Sequence, residues 1–344
     1  MFDQLTNSNE TDMPIEPDNF QNILPALSDA LIGHSGFVGA ILSGQHVFPA
    51  KFNSRNVEEI RQKRFDTVVC AAAPGSMVEA NLAPKRDLDA IEILIEHLRD
   101  VEARRFVLIS SIAVLADFSG GCDESTQAFE EVLAYGRHRR MLEAFCEDHF
   151  ESCLVVRLPA LFGPGLRKNF IFDLLNPVPS LLTEVRLELL LERLQPELRA
   201  VLATLYSPDA ATGLLRLDRT ALDADQRRQK LDVAVRSVGM AATQFHNADT
   251  TYQFYSMSRL WSDIETALGA GLSRLHLAVA PLRAADIHAR LLGVPMPKTN
   301  AKLHGEDMRT CYAALWDREG PYLEDRDTVM NKLDVFFARH RAAA

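Results

Sequence analysis

The sequence has no surplus of positive charge. Its 344 residues carry 37 Lys and Arg against 47 Asp and Glu, a formal net charge of −10. A surface of that sign repels a phosphate backbone, so nucleic acid is excluded as a first partner; a small anionic ligand is not, because backbone dipoles act locally. Paired cysteines are missing too. The 5 cysteines, Cys70, Cys122, Cys146, Cys153 and Cys311, are odd in number and contain no CxxC. They read as reduced thiols, and a reducing, cytoplasmic location is expected. No His/Cys group has zinc-ligand spacing, so no metal is expected. No apolar run reaches the roughly 18 residues that a membrane helix needs, so no membrane partner is expected. The opening stretch is polar and acidic, without the basic start and apolar core of a signal peptide, and reads as a loose leader over residues 1–27.

What is present is a chain 47% hydrophobic, enough for one large α/β domain with a smaller lobe. Ala30-Leu31-Ile32 is a short apolar run ahead of Gly33, and the sequence turns helical from Phe37. Thr67-Val68-Val69-Cys70-Ala71, Phe106-Val107-Leu108-Ile109 and Leu154-Val155-Val156 are apolar throughout rather than alternating, the pattern of parallel strands covered on both faces. Between them Leu88, Ile91, Ile95 and Leu98 recur at helical spacing, and residues 135–149 are helical. Strand and helix in this rhythm predict a Rossmann-type, doubly wound parallel sheet over residues 28–170. Strand-like sequence returns at Tyr252–Tyr255 and Leu275–Val279, so sheet elements are expected to come back at about 250–280. Residues 181–205 and 223–238 read as helical with no strand between. They predict a mainly helical substrate lobe made of residues 171–249 and 281–344, placed over the carboxyl ends of the strands. The apolar face of 181–205 suits a core or a homodimer interface better than a ligand box.

Gly33-His34-Ser35-Gly36-Phe37-Val38-Gly39 is a GxxGxxG between a strand and a helix. Its first two glycines permit a tight turn and close approach of a pyrophosphate. The third lets the helix pack on the strand, and the helix N-terminus presents free N–H groups. Backbone from Gly33, Ser35, Gly36, Phe37, Val38 and Gly39 is thus the candidate dinucleotide cradle. NAD binders carry Asp or Glu about 20 residues on. Here the stretch is Ala50-Lys51-Phe52-Asn53-Ser54-Arg55-Asn56, with no carboxylate and two cations. Asn53, Ser54 and Arg55 are therefore candidates for the adenosine end, and the charge favours NADP over NAD.

Downstream, Ser110-Ser111 closes the strand at Ile109, and Tyr135-Gly136-Arg137-His138-Arg139 opens a helix. With the glycine loop, the Ala71-Ala72-Ala73 stretch, the Asp123-Glu124-Ser125 loop and Arg157-Leu158-Pro159-Ala160-Leu161-Phe162-Gly163-Pro164-Gly165, these motifs make the chain resemble the extended short-chain dehydrogenase/reductases. That group includes nucleotide-sugar epimerases, dehydratases and 4-ketosugar reductases. The resemblance runs from about Ala30 to Pro281. It implies that Ser111 orients a substrate oxygen, that Tyr135 is the acid/base, and that position 139 supplies a cation one helical turn on. It further implies that Ala71, Ala72, Ala73, Ser110, Tyr135, Arg139 and Pro159 line the cofactor. A phenol with a pKa of about 10 needs a neighbouring cation to act near neutrality.

Position 139 departs from the family pattern, being Arg rather than Lys: the charge is kept, but no proton is readily given up. Ser111 is followed by Ile112-Ala113-Val114, which lacks the Asp-Glu pair of the dehydratases and the Cys of GDP-fucose-synthase-type enzymes. Hydride transfer at one carbon of a small molecule, a nucleotide-linked sugar, is the expected reaction. The alternative is a weakly catalytic NAD(P)-binding sensor or scaffold. On the substrate side, Lys168 and Asn169, beside Arg167, suit an anion, and Arg259 is a further candidate.

Overall fold

The computed structural model describes residues 27–342; all but the last residue of the 1–27 leader lies outside them. In chain order the strands are β1 (Ala30–Ile32), β2 (Ala50–Phe52), β3 (Arg64–Cys70), β4 (Glu102–Ser111), β5 (Cys153–Leu158), β6 (Ala160–Phe162), β7 (Leu181–Leu182), β8 (Tyr206–Asp209), β9 (Leu214–Leu217), β10 (Thr251–Tyr252), β11 (Phe254–Ser256), β12 (Arg274–His276) and β13 (Leu282–Arg283). The helices are α1 (Phe37–Gln45), α2 (Met77–Leu82), α3 (Pro84–Leu98), α4 (Ala134–His149), α5 (Phe170–Leu175), α6 (Glu184–Arg193), α7 (Pro196–Leu205), α8 (Arg219–Ala224), α9 (Arg228–Ser237), α10 (Leu260–Gly269), α11 (Ala284–Leu292) and α12 (Arg326–Ala342).

The main sheet has six parallel strands in the order β12-β5-β4-β3-β1-β2. Successive side chains of a strand point to opposite faces, so each strand feeds two cores. Leu31, Val69, Val107 and Val156 pack with α1, α10, α11 and α12 on one face. Ile32, Val68, Phe106, Leu108 and Val155 pack with α3 and α4 on the other. This is the doubly wound parallel sheet that the apolar strand runs predict. Among the described residues strand β2 is an edge: the strand that lies outside it in the usual 3-2-1-4-5-6 order has no counterpart there, because a short turn over residues 57–60 joins β2 to β3 directly.

Two expectations change. Residues 181–205 are not one helix, since Pro196 starts α7 where its missing N–H costs nothing. Between the helical stretches lies a hairpin, β8–β9, completed by β7 into a three-stranded antiparallel sheet. The lobe has its own core of Leu190, Leu202, Leu217, Leu222, Leu231 and neighbours. Residues 281–344, expected in that lobe, instead bury Ile287, Leu291, Leu333 and Phe337 in the core of the main sheet. No helix of the described residues is long and apolar enough to cross a membrane.

Candidate active site

Strand β1 ends at Ile32 and the chain turns at once. Gly33 has φ +86° and donates its N–H to the Phe52 carbonyl at 2.8 Å. A Cβ on Gly33 would lie 2.4 Å from the Ala71 carbonyl oxygen, and one on Gly39 would lie 2.1 Å from the Gly33 carbonyl oxygen. The turn is wedged between its neighbour strand and its own helix, so both positions require glycine. Helix α1 follows its N-cap Gly36 with no side-chain cap and no acidic residue in its first turn. Its first N–H groups are free for a ligand, and no carboxylate opposes an anion there. Ser35 and Gly36 are exposed, Phe37 and Val38 half-buried. This donor set fits the diphosphate of a dinucleotide.

The loop after β2 adjoins this turn. Asn53 accepts from the Arg55 N–H at 2.9 Å and lies 3.1 Å from the His34 ring. Ser54 and Arg55 are exposed, and Arg55 forms no ion pair among the described residues.

On the other side of β1, strand β4 delivers Ser111, whose Oγ accepts from the Ala113 N–H at 3.2 Å. A Cβ on Gly136 would lie 2.0 Å from the Ala113 carbonyl oxygen, so α4 presses directly on the turn after Ser111. That contact sets the start of α4, which carries Tyr135, against the turn that follows Ser111. The N-terminus of α4 is held from two sides. Asn81 of α2 accepts from the Tyr135 N–H at 3.0 Å, and Glu130 accepts from Val132 and Leu133 at 2.7 and 3.0 Å. Pro159 follows Leu158, the β5 residue paired with Ser111.

Ser110 points the other way, as strand alternation requires. It is buried, and its hydroxyl, which the sequence reading counted among the cofactor-lining groups, donates to Glu143 at 2.6 Å. Glu143 in turn takes a two-pronged bond from Arg157 at 2.9 and 2.7 Å, and Arg157 lies 3.2 Å from His276. Burial, reinforced by the Arg157 charge, pushes His276 down to about 3, so this ring is neutral.

Arg139 stacks on the Tyr135 ring, its guanidinium carbon 4.0 Å from the ring centroid. It is 2% exposed. Asp87 of α3 grips it with both oxygens, at 2.5 and 2.8 Å, and the carbonyls of Tyr135 and Pro74 take further N–H groups. His138 lies 2.7 Å from the same carboxylate. Burial opposes the Asp87 charge, but the bonds and charges of Arg139 and His138 outweigh it and hold the carboxyl below its usual range. The sequence reading placed the Arg139 cation beside Tyr135 and among the cofactor-lining residues; in the structure it lies on the Tyr135 ring, and its charge is matched by Asp87. Sequence reasoning missed Asp87, His138, Asn81 and Gly136. Asp87 had a signal: it stands four residues before Ile91, on the apolar stripe of α3, where an unpartnered carboxylate would not be tolerated.

Of the substrate-side candidates, Lys168 reaches back from the loop after β6 to the Gly75 carbonyl. Asn169 is committed to structure. Its Oδ1 caps α5 by accepting from Ile171 and Phe172 at 3.0 and 3.2 Å, and its Nδ2 donates to Leu161 at 2.8 Å. Its φ of +99° is a conformation that costs a non-glycine residue about 1–3 kcal/mol. Arg259 spends its guanidinium on Asp263, at 2.9 and 3.0 Å, and on Glu324 at 3.4 Å.

No curated protein matches the chain at a significant level. Among solved structures, it is similar to MoeE5 in complex with UDP-glucose and NAD, with 13% identity, TM-score 0.55, and 92% of this chain and 99% of that one covered. It is also similar to the UDP-N-acetylglucosamine 4-epimerase of Methanobrevibacter ruminantium M1 in complex with UDP-N-acetylmuramic acid (11%, TM-score 0.57, 93% and 99%). A third is RMD of Pseudomonas aeruginosa complexed with NADPH (13%, TM-score 0.57, 92% and 100%). At such identities these likenesses show a shared fold. The sequence pattern of the NAD dependent epimerase/dehydratase family matches residues 51–227, just over half of the chain, and the protein belongs to that family.

Proposed function

We propose that the chain is an NAD(P)-dependent oxidoreductase or epimerase acting at one carbon of a nucleotide-linked sugar, with NADP preferred to NAD. The observation that carries this reading is the shared position of two features: the uncapped glycine turn after β1, and the turn after Ser111 with the start of α4 packed on it, both lie at the carboxyl ends of one parallel sheet. The substrate class is supported by the family and by the nucleotide sugars bound to the structural neighbours. Family membership also favours an enzyme over a scaffold.

When bound, the nicotinamide supplies or accepts a hydride. The free N–H groups at the start of α1 hold the diphosphate. Ser111 presents a hydroxyl to the substrate oxygen, and Tyr135 exchanges the proton at its phenol oxygen. The Asp87–Arg139 pair fixes the ring of Tyr135 by stacking, and Asn81 fixes the backbone beneath it. The preference for NADP rests on exposed Arg55 and on the lack of a carboxylate between β2 and Asn56.

Fluorescence titration of the protein with NADPH and NADH tests this. NADPH is expected to bind more tightly. Arg55→Ala should cut the difference about tenfold, the scale of one hydrogen bond to a charged group. Tyr135→Phe should abolish cofactor-linked turnover of a nucleotide sugar while leaving cofactor binding intact. Binding of neither cofactor overturns the reading.

A further inference from the structure

We propose that Lys168, and not Arg139, is the side chain that holds the ribose on the nicotinamide half of the bound cofactor. The inference rests on the dinucleotide site proposed above.

A donor count separates the two cations. A guanidinium has five N–H groups. In Arg139, Nη1 donates to Asp87 at 2.5 Å and to the Tyr135 carbonyl at 3.3 Å, while Nη2 donates to Asp87 at 2.8 Å and to the Pro74 carbonyl. Only the Nε hydrogen is left, and it is buried without a partner. The charge is already matched by Asp87. The Lys168 ammonium has three N–H groups, of which the Gly75 carbonyl takes one. Lys168 forms no ion pair among the described residues; the Glu79 carboxylate near it is engaged by Arg216 at 2.8 Å. Two donors and an unmatched charge therefore remain available.

Their position follows from the sheet. With the order β5-β4-β3-β1-β2, the loop at Asn53–Arg55 lies at the β2 edge and takes the adenosine end, and the turn after β1 takes the diphosphate. The second ribose must then lie beyond β1, across the ends of β3 and β4. Gly75 belongs to the segment that leaves β3, and its carbonyl follows that of Pro74, which holds Arg139 against Tyr135. Lys168 is thus anchored next to the segment that holds Arg139 against Tyr135. Its anchor is stiff. The next residue, Asn169, has φ +99° and ψ 177° and is tied through its side chain to Leu161, Ile171 and Phe172. Such a backbone conformation persists where the surroundings enforce it, and here it fixes the direction in which Lys168 leaves the loop. The Lys168 side chain is nevertheless exposed. Crowding of its ammonium end by protein, with the field of Arg139, draws its titration below the usual lysine range, while Glu79 acts in the other direction.

The test uses the full chain and three probes: NADPH, ADP for the adenosine half, and UDP for a nucleotide-bearing substrate. Lys168→Met should weaken NADPH binding at least tenfold and leave ADP and UDP within about twofold. Lys168→Arg should restore most of the loss. NADPH affinity of the parent should fall as pH rises toward 10, and that of Lys168→Met should not. Unchanged NADPH binding by Lys168→Met overturns the proposal, as does an equal loss for ADP. A loss for UDP alone also overturns it and assigns Lys168 to the substrate. If the parent binds no dinucleotide, the dinucleotide site itself falls, an outcome distinct from the others.

Discussion

Replacing Asp87 with asparagine is the sharpest probe of the α3–α4 contact. The side chain keeps its shape and one acceptor but loses its charge. Arg139 is 2% exposed and Asp87 5%, so water cannot substitute for the lost partner. Breaking a buried ion pair from one side costs about 3–5 kcal/mol, and the retained carbonyl places Asp87→Asn near 3 kcal/mol. Urea unfolding at neutral pH would read this as a lower midpoint at unchanged slope. The double variant Asp87→Asn/Arg139→Met removes the orphaned charge and should recover at least half of the loss, a coupling typical of residues in one network. The carboxyl titrates below its unfolded value near 3.9. Its stabilisation is therefore complete above that value and is lost as pH falls through the folded one. Parent and Asp87→Asn should converge below about pH 4. A single variant within about 0.5 kcal/mol of the parent at neutral pH would refute the reasoning, because that is the range of a surface change.

Other perturbations have equally definite outcomes. Gly39→Ala places a Cβ 2.1 Å from the Gly33 carbonyl oxygen, so dinucleotide binding should fall by more than tenfold and the thermal midpoint should drop. Gly44→Ala, with nothing within 4 Å of the new carbon, should be neutral or stabilise α1 by up to about 1 kcal/mol, and calorimetry would separate the two. His276, held neutral at about 3 in the folded chain, binds its proton only after unfolding. Stability should thus decline as pH falls from about 6.5, with a slope approaching 1.4 kcal/mol per unit, and His276→Gln should flatten that slope.

The legible parts of the molecule were those that announce themselves locally. Strands β3, β4 and β5 are covered on both faces, so they read as unbroken apolar runs, and the first and last glycines of GxxGxxG are the only residue type that their crowded positions accept. The β8–β9 hairpin was hidden because Tyr206-Ser207-Pro208-Asp209 is polar and carries a proline, as an edge strand permits but a strand pattern does not. Gly213, with φ +68°, was the available turn signal. Two adjacent serines look alike in sequence, while strand alternation sends their side chains to opposite faces, that of Ser110 to Glu143 and that of Ser111 to the Ala113 N–H. The fate of Arg139 was out of reach for another reason. Its partner Asp87 is 52 residues away on a different helix, and Pro74 is 65 away. Only the packing of α3 on α4 names the partner that makes this cation half of a buried pair.

The lobe offers a last consequence. The chain departs from the body at Pro177 and rejoins it at Ala242, and the Ala242 N–H donates to the Pro177 carbonyl at 2.7 Å. The excursion between them is a closed loop tied at its neck, with a core of its own running from Val178 to Ala241. It has the makings of a separate cooperative unit. Its amides are expected to exchange with solvent together, at a lower opening free energy than those of β3 and β4. An excursion whose two ends meet also tolerates replacement: a short turn joining 177 to 242 would leave the sheet's ladder unbroken, at the loss of side-chain bonds such as Arg216 to Glu79.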